Sequence, residues 1–485
     1  MPLDHDQCLR AFLARDPRFD GWFFAAVLTT GIYCRPSCPA VPPKPKNVVF
    51  HPTAASAQAA GFRACKRCRP DATPGSPEWD LRTDLVARAV RLIGDGVVDR
   101  EGVPGLSTRL GYSRRQLERV LGAELGAGPL GLARAHRAQT ARLLVETTAL
   151  SFADVAFAAG FGSVRQFNDT VREVYAASPT ELRGRRGSTT ASGTIATRIG
   201  VREPFDGAAL LDFLALRAVP GIEATGPGWY ERSLDLPHGP GVVRVVLVDR
   251  PERYVPCSFS LADARDLAPA LERTRRLLDA DCDPVAVDDE LAADRLLAPL
   301  VRRRPGLRVP GHVDGTELTT RAILGQQVSV AGARTLAARL VAAHGRPLLL
   351  DGDHHVTHLF PTAQALAEVD PESISMPRAR GRALAVCAAA IRDGEVLLDR
   401  SADRAETRAA LLALPGVGPW TADYIAFRVL GDPDVFLPTD LGVKHAADAL
   451  GIGDIAGRAE SWRPWRSYAL IHLWTSLSEQ QKKES

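Results

Sequence analysis

The chain has 485 residues, too many for one hydrophobic core, and at 45% hydrophobic and 24% charged it has an ordinary globular composition. No apolar run reaches membrane-spanning length, the acidic start Met1-Pro2-Leu3-Asp4-His5-Asp6 lacks a signal-peptide core, and eight cysteines are too few for a disulfide scaffold. The expectation is a cytoplasmic protein of three or four domains with no membrane partner. The net charge of +3 conceals an asymmetry: residues 1–200 carry 27 Lys and Arg against 18 Asp and Glu, and the remainder 33 against 39. The N-terminal part has the electrostatics of a nucleic-acid binder. The C-terminal part can bind DNA only through backbone amides or local geometry.

Residues 1–75 read as short helices and strands around four cysteines. Cys34 and Cys38 stand in Gly31-Ile32-Tyr33-Cys34-Arg35-Pro36-Ser37-Cys38, and Cys65 and Cys68 in Cys65-Lys66-Arg67-Cys68. Two close pairs of thiolates, CxxxC and CxxC, are suited to close a tetrahedral Zn²⁺ site once the chain between them folds back. On spacing alone the site is either structural or one in which a metal-bound thiolate does chemistry, and no one cysteine is singled out.

Residues 79–183 read as all helix, with apolar positions at helical spacing through Leu85, Val86, Ala89, Val90 and Ile93 and again through Leu132, Ala135, Ala138, Leu143 and Leu144. Two helix-turn-helix patterns lie inside. In the first, Leu110-Gly111-Tyr112-Ser113 separates two helices, Ser113 caps the second, and Arg114, Arg115, Gln116 and Arg119 face outward. In the second, Gly160 permits a left-handed turn and Ser163 caps a helix with Phe161, Phe167 and Val171 inward and Arg165, Gln166, Asn168 and Arg172 outward. Arg, Gln and Asn suit base edges and phosphates in a major groove, whereas a plain helical bundle would leave them solvated.

Two such units, closing with AAGFGSVRQFNDTVREVYAASPTELR, resemble the AraC-type regulator domain. The cysteine segment, with TTGIYCRPSC, NVVF and GFRACKRCRPD, is similar to the N-terminal domain of the Ada family of methyltransferases and transcription factors. The resemblance covers residues 1–183. It implies that Cys34 takes a methyl group irreversibly from a methylphosphotriester in double-stranded DNA, that Cys38, Cys65 and Cys68 complete the Zn²⁺ site, and that RNA polymerase is a partner during activation. Losing one thiolate charge on methylation reduces repulsion from phosphate, so the methylated form is expected to bind DNA better. Arg35, Lys44, Lys46, Arg63, Lys66, Arg67 and Arg69 surround the site, either to hold the DNA backbone or as a solvated basic face.

Residues 184–194 (GRRGSTTASGT) read as a linker. Residues 195–285 read as an α+β domain with a strand near 242–248 (VVRVVLV), and residues 286–480 as helical with Gly and Pro punctuation. Leu414-Pro415-Gly416-Val417-Gly418 before a helix is a helix-hairpin-helix pattern whose glycines present backbone amides to a phosphate, with Gly416, Gly418 and Thr421 expected to contact DNA.

The hairpin, the later Asp440, the stretch Ile323-Leu324-Gly325-Gln326-Gln327-Val328-Ser329-Val330 and the ending Trp462-Arg463-Pro464-Trp465 through Trp474 resemble the AlkA family of 3-methyladenine DNA glycosylases. This resemblance runs from about residue 194 to the end. It implies that Asp440 is the catalytic carboxylate, that Trp420, Tyr424 and Trp474 line the base pocket, and that Gln326 and Gln327 meet DNA. Trp420 occupies the position where strand-cutting relatives carry a Schiff-base lysine, so a monofunctional glycosylase is implied. Gln327 stands where some members have a leucine wedge, and Thr475 where some have a tyrosine. No Pro-Cys-His-Arg motif occurs, so no O6-alkylguanine transferase activity is expected. The whole reads as a multidomain, mainly α protein with α+β parts, a monomer that senses, regulates and repairs. The alternative is a zinc-bearing regulator whose glycosylase-like half only binds DNA.

Overall fold

The computed structural model describes residues 4–70, 85–184, 194–247, 253–371, 374, 376–399 and 402–484. The expected linker and the boundary at 75–79 fall almost wholly outside them. By internal contacts the chain divides into two compact units, one of residues 1–202, 236–239 and 256–272, the other of 203–235, 240–255 and 273–485.

The first unit begins with a helix, His5–Leu13, capped by Asp4. Four short strands follow: Phe24–Val27 (β1), Ile32–Cys34 (β2), Val48–His51 (β3) and Arg63–Ala64 (β4), in the order β3-β1-β2-β4. β1 is antiparallel to β2 and β3, and β2 is parallel to β4. That parallel pairing, with Tyr33 opposite Ala64, brings the end of β2 at Cys34 beside the end of β4 before Cys65. The strands are short because the core here is small: Cys8, Phe12, Phe23, Ala25 and Val48 pack directly on the four cysteines.

Helices then run through residues 85–183, around the long helix Pro129–Thr147. Gly111 (φ 73°) and Gly160 (φ 81°) make the left-handed turns, where a side chain would strain the backbone. Ser113 accepts from the Gln116 N–H at 3.3 Å and Ser163 from the Gln166 N–H at 3.2 Å, starting the helices Arg114–Leu125 and Val164–Tyr175. The cysteine module is joined to this bundle. Thr53 Oγ1 donates to Leu125 O (3.1 Å), Lys66 Nζ to Ala176 O (3.1 Å), and Arg69 pairs with Glu146 (2.6 Å).

Five further strands, Thr194–Gly200 (β5), Glu223–Gly226 (β6), Trp229–Leu236 (β7), Gly239–Val246 (β8) and Tyr254–Leu261 (β9), form a sheet ordered β5-β9-β8-β7-β6. This is the α+β element expected from the sequence.

The second unit is helical beyond residue 284, with one small antiparallel pair at Arg346–Pro347 and His358–Leu359. The helix Pro419–Arg428 is apolar on most sides because it lies between two cores. Ala422, Ile425 and Ala426 face one, Phe427 and Trp420 the other, and Tyr424 touches both. Among the described residues no helix is long and apolar enough to cross a membrane.

A buried charge network ties the β6–β7 hairpin to the helix Gly315–Leu324. The register sets Glu223 opposite Arg232. Arg232 pairs with Glu317 (2.6 Å) and Glu223 (3.5 Å), Arg321 contacts both carboxylates at 2.9 Å, and the Tyr230 hydroxyl donates to Glu223 at 2.5 Å. Two cations balance two anions, so no charge is buried unpaired. Burial alone would raise the Glu223 carboxyl, but Arg321 and Arg232 outweigh it and hold it below the ordinary value of 4.5. Arg232→Met should therefore cost about 3–5 kcal/mol, read as an earlier urea midpoint at pH 7. A depressed carboxyl stabilises above its unfolded pKa, so this advantage should disappear as pH falls below 4.5.

Candidate functional site

The four cysteines form the first site. All are buried, and their Sγ atoms lie within 4.8 Å of one another. Cys34 ends β2, the turn closes with the Cys38 N–H on Arg35 O (3.1 Å), and the Cys65 N–H bonds Tyr33 O (3.0 Å). Contact with Cys38, Cys65 and Cys68, together with burial, drives the Cys34 thiol far above its ordinary value when only protons are available. Four sulfurs this close call for a cation, and a buried tetrathiolate fits Zn²⁺.

Two side chains that sequence reading passed over frame this site. Asp20 is buried and accepts from the Ser37 N–H at 2.9 Å and the Ser37 hydroxyl at 2.6 Å. Tyr33, next to Cys34 in the strand, is fully buried and receives a hydrogen bond from Gln58 at 3.0 Å. Of the basic residues expected around the metal, Lys66 and Arg69 bond the helical bundle and Arg63 reaches Thr30 O at 3.4 Å. Lys44, Lys46 and Arg67 are exposed.

On the helical bundle Arg114, Arg115, Gln116, Arg119, Arg165, Gln166 and Arg172 are exposed, all on the two helices opened by serine caps. Asn168 differs from expectation: it is half-buried, because the helix turns it toward the packed face. Gln166 is engaged locally, its Oε1 accepting the Gly162 N–H at 3.2 Å. Arg114 pairs with Glu118 at 3.0 Å across one helical turn, an exposed contact that a phosphate can displace.

The second unit holds another convergence of side chains. Asp440 caps the helix Leu441–Ala449, with Oδ1 accepting the Val443 N–H at 3.1 Å. The same oxygen accepts the Trp474 indole N–H at 2.9 Å, and Oδ2 accepts that of Trp420 at 3.2 Å. Three donors from three segments thus fix one half-buried carboxylate. Trp420 stacks on Tyr424 with centroids 5.2 Å apart and planes 18° apart, and Phe427 packs edge-on to Trp474. Arg428, buried and held by Pro310 O at 2.6 Å, donates to the Tyr424 hydroxyl at 3.2 Å and so orients that ring from behind.

Gly442 was missed in the sequence. A Cβ there would lie 3.1 Å from Asp440 Oδ1 and 3.1 Å from the Trp474 indole, so a side chain would press on that hydrogen bond. Its place two residues beyond the carboxylate is the only sequence signal it carries.

The hairpin reaches this site through consecutive residues. Gly416 takes φ 80°, and Gly418 caps Pro419–Arg428 without a side-chain hydrogen bond. Both glycines are exposed, and a Cβ on Gly418 would meet nothing within 4 Å, which leaves room for a phosphate at the helix N-terminus. Thr421 departs from the expected DNA contact. It is buried and accepts from Gln326 at 2.9 Å. The Gln326 amide also donates to Gly416 O at 3.0 Å, so this pair fastens the hairpin from beneath. Gln327 beside it is exposed with φ 56°. Thr475 is half-buried next to Trp474.

Three stretches match described families: residues 7–71 the metal binding domain of Ada, residues 106–185 a helix-turn-helix domain, and residues 196–314 the AlkA N-terminal domain. A probable bifunctional transcriptional activator/DNA repair enzyme AlkA from Mycobacterium tuberculosis is 53% identical over 485 residues, covering 98% of this chain and 97% of its own. DNA-3-methyladenine glycosylase 2 of Escherichia coli is 38% identical over 275 residues, 56% of this chain and 94% of its own. A solved 3-methyladenine DNA-glycosylase from Archaeoglobus fulgidus shares the fold, with a TM-score of 0.50 and 21% identity over 57% of this chain and 97% of its own.

The cysteine cluster makes a direct prediction. The purified chain should release one zinc ion on denaturation. Cys38→Ala should release none, and the N-terminal unit should lose several kcal/mol, seen as an early thermal transition.

Proposed function

The chain belongs to the family of bifunctional transcriptional activator/DNA repair enzymes, and we propose that it carries out two separate reactions on methylated DNA. One removes alkylated purines, with Asp440 as the catalytic carboxylate. The other transfers a methyl group from a backbone phosphotriester to Cys34, and the methylated chain then activates transcription together with RNA polymerase. We assign residues 1–75 to methyl acceptance, 79–183 to sequence-specific DNA binding, and 195–285 with 286–480 to base removal. Eight buried cysteines, none of them in a disulfide, are in keeping with a reducing cytoplasm, where we place the protein as a monomer.

The observation that carries the glycosylase reading is the triple anchoring of Asp440 by Trp420, Trp474 and the Val443 amide. A purine alkylated at N3 or N7 is cationic and leaves without a general acid. What it needs is a fixed negative charge near the sugar, where positive charge develops as the bond breaks, and a carboxylate that cannot swing away supplies it. The stacked Trp420 and Tyr424 rings offer the flipped base a flat π surface that attracts a cation more than a neutral base. The hairpin amides at Gly416 and Gly418 hold the phosphate while the base is out of the stack. With Trp420 in place of a lysine, that position offers no amine to form a covalent DNA adduct, so strand cutting is not part of the proposed reaction.

For the methyl transfer, Cys34, Cys38, Cys65 and Cys68 would hold Zn²⁺, which would keep their sulfurs deprotonated and nucleophilic. Cys34 Sγ attacks the methyl carbon. The S–C bond forms as the C–O bond breaks, and the electron pair stays on the phosphate oxygen. The thioether cannot be reversed by this chemistry, so each chain reacts once.

Asp440→Asn keeps the helix cap but removes the charge. Release of 3-methyladenine from methylated DNA should drop by about 10²–10³-fold with folding intact. If the wild-type chain releases no base while still binding DNA, the C-terminal half is a DNA-binding body only. The methyl acceptor is tested separately by intact mass. The wild-type chain should gain one methyl group on methylphosphotriester DNA, and Cys34→Ser should gain none.

A further inference from the structure

The environment of Arg35 carries a further step. Arg35 follows Cys34 directly and begins the turn that leads to Cys38. Its side chain is only 15% exposed, and its Nε is buried without a hydrogen-bond partner. Its contact with Asp20 is Nη1 to Oδ2 at 3.4 Å, longer than an N–H···O hydrogen bond. Both oxygens of Asp20 are meanwhile taken by Ser37, through its N–H and its hydroxyl. Arg35 is thus restrained and charge-balanced while most of its donors remain unspent. Its basic neighbours differ, since Lys66 and Arg69 are bonded to the helical bundle and Lys44, Lys46 and Arg67 are exposed.

The chemistry of the donor substrate gives those nitrogens a purpose. A methylphosphotriester is neutral at phosphorus. When its methyl leaves, the C–O electron pair becomes the charge of a phosphodiester anion. A guanidinium beside the nucleophile gains little from the neutral triester and much from the anion, so it binds the transition state more tightly than the ground state. The planar fork of arginine also matches two phosphate oxygens at once, which an ammonium does not.

We infer that Arg35 is a catalytic residue of the methyl transfer: its guanidinium pairs with the negative charge that develops on the phosphate oxygen as Cys34 takes the methyl group. Asp20 and Ser37 are then positioning residues that aim it. The inference rests on the methyl-transfer reading above and adds the group that activates the leaving phosphate.

The test compares two methyl donors on the full-length, zinc-loaded chain by following intact mass with time. One donor is duplex DNA with a single methylphosphotriester. The other is methyl iodide, whose leaving group is not a phosphate. Arg35→Gln should slow transfer from the triester by about 10²–10³-fold and leave the iodide rate within about twofold, with zinc content unchanged and Arg35→Lys falling between. Equal slowing with both donors would show that Arg35 merely holds the cysteine loop, and no slowing with either would remove it from the reaction. Should the wild-type chain react with methyl iodide but not with the triester, the methyl-transfer reading itself fails, and the inference with it.

Discussion

A carboxylate cannot stay inside a protein without donors, and the second unit is organised around that constraint. Glu223 and Glu317 are buried on β6 and on the helix Gly315–Leu324, and Arg232 and Arg321 close the ring of charge between them. That pins the β6–β7 hairpin to the helix. The helix ends at Gly325, and the next residue, Gln326, fastens Gly416 and Thr421. Trp420, adjacent to Thr421, donates to Asp440. Hydrogen bonds and ion pairs, joined by short stretches of backbone, therefore run from a structural charge cluster to the carboxylate assigned to chemistry. The charged links at the start are buried and costly to leave unmade, and those nearer Asp440 are partly buried.

The same economy governs the first unit. Its metal module has a core too small to be stable on cross-packing alone, and two things supplement it: a cation among four sulfurs, and contacts with the helical bundle. Lys66 and Arg69, flanking the second cysteine pair, make those contacts. Basic residues that look like a DNA-facing patch in the sequence are thus divided between two tasks. Lys66 meets the chain just beyond the helix Val164–Tyr175, one of the two that expose arginines. The cysteine module is therefore fastened to the bundle beside a helix that presents arginines to solvent.

Much was legible in the sequence because some chemistry allows few spellings. CxxxC with CxxC, serine caps after a glycine turn, and LPGVG before an apolar helix each fix local geometry through a backbone rule or a ligand count. Gln326, Gln166 and Thr421 were named as contacts for DNA, and the fold engages all three internally: Gln326 and Thr421 beneath the hairpin, Gln166 in its own turn. A polar side chain at an exposed-looking position gives no sign of whether a neighbour far along the chain has taken its hydrogen bonds. Gly442, Asp20 and Ser37 went unread for the converse reason. Their roles lie in a space left empty or in a partner 17 residues away, as with Asp20 and Ser37.

By itself, then, the sequence determined the metal ligand set, the two helix-turn-helix units, the hairpin and the carboxylate at 440, because local spacing and backbone conformation encode them. Only the tertiary structure decided that Asp440 is held by two indoles beside Gly442, that Thr421 is buried under the hairpin with Gln326, and that Arg35 Nε is buried without a partner next to Cys34. Those outcomes depend on which distant groups meet and which hydrogen bonds they use up, and sequence distance carries no record of that.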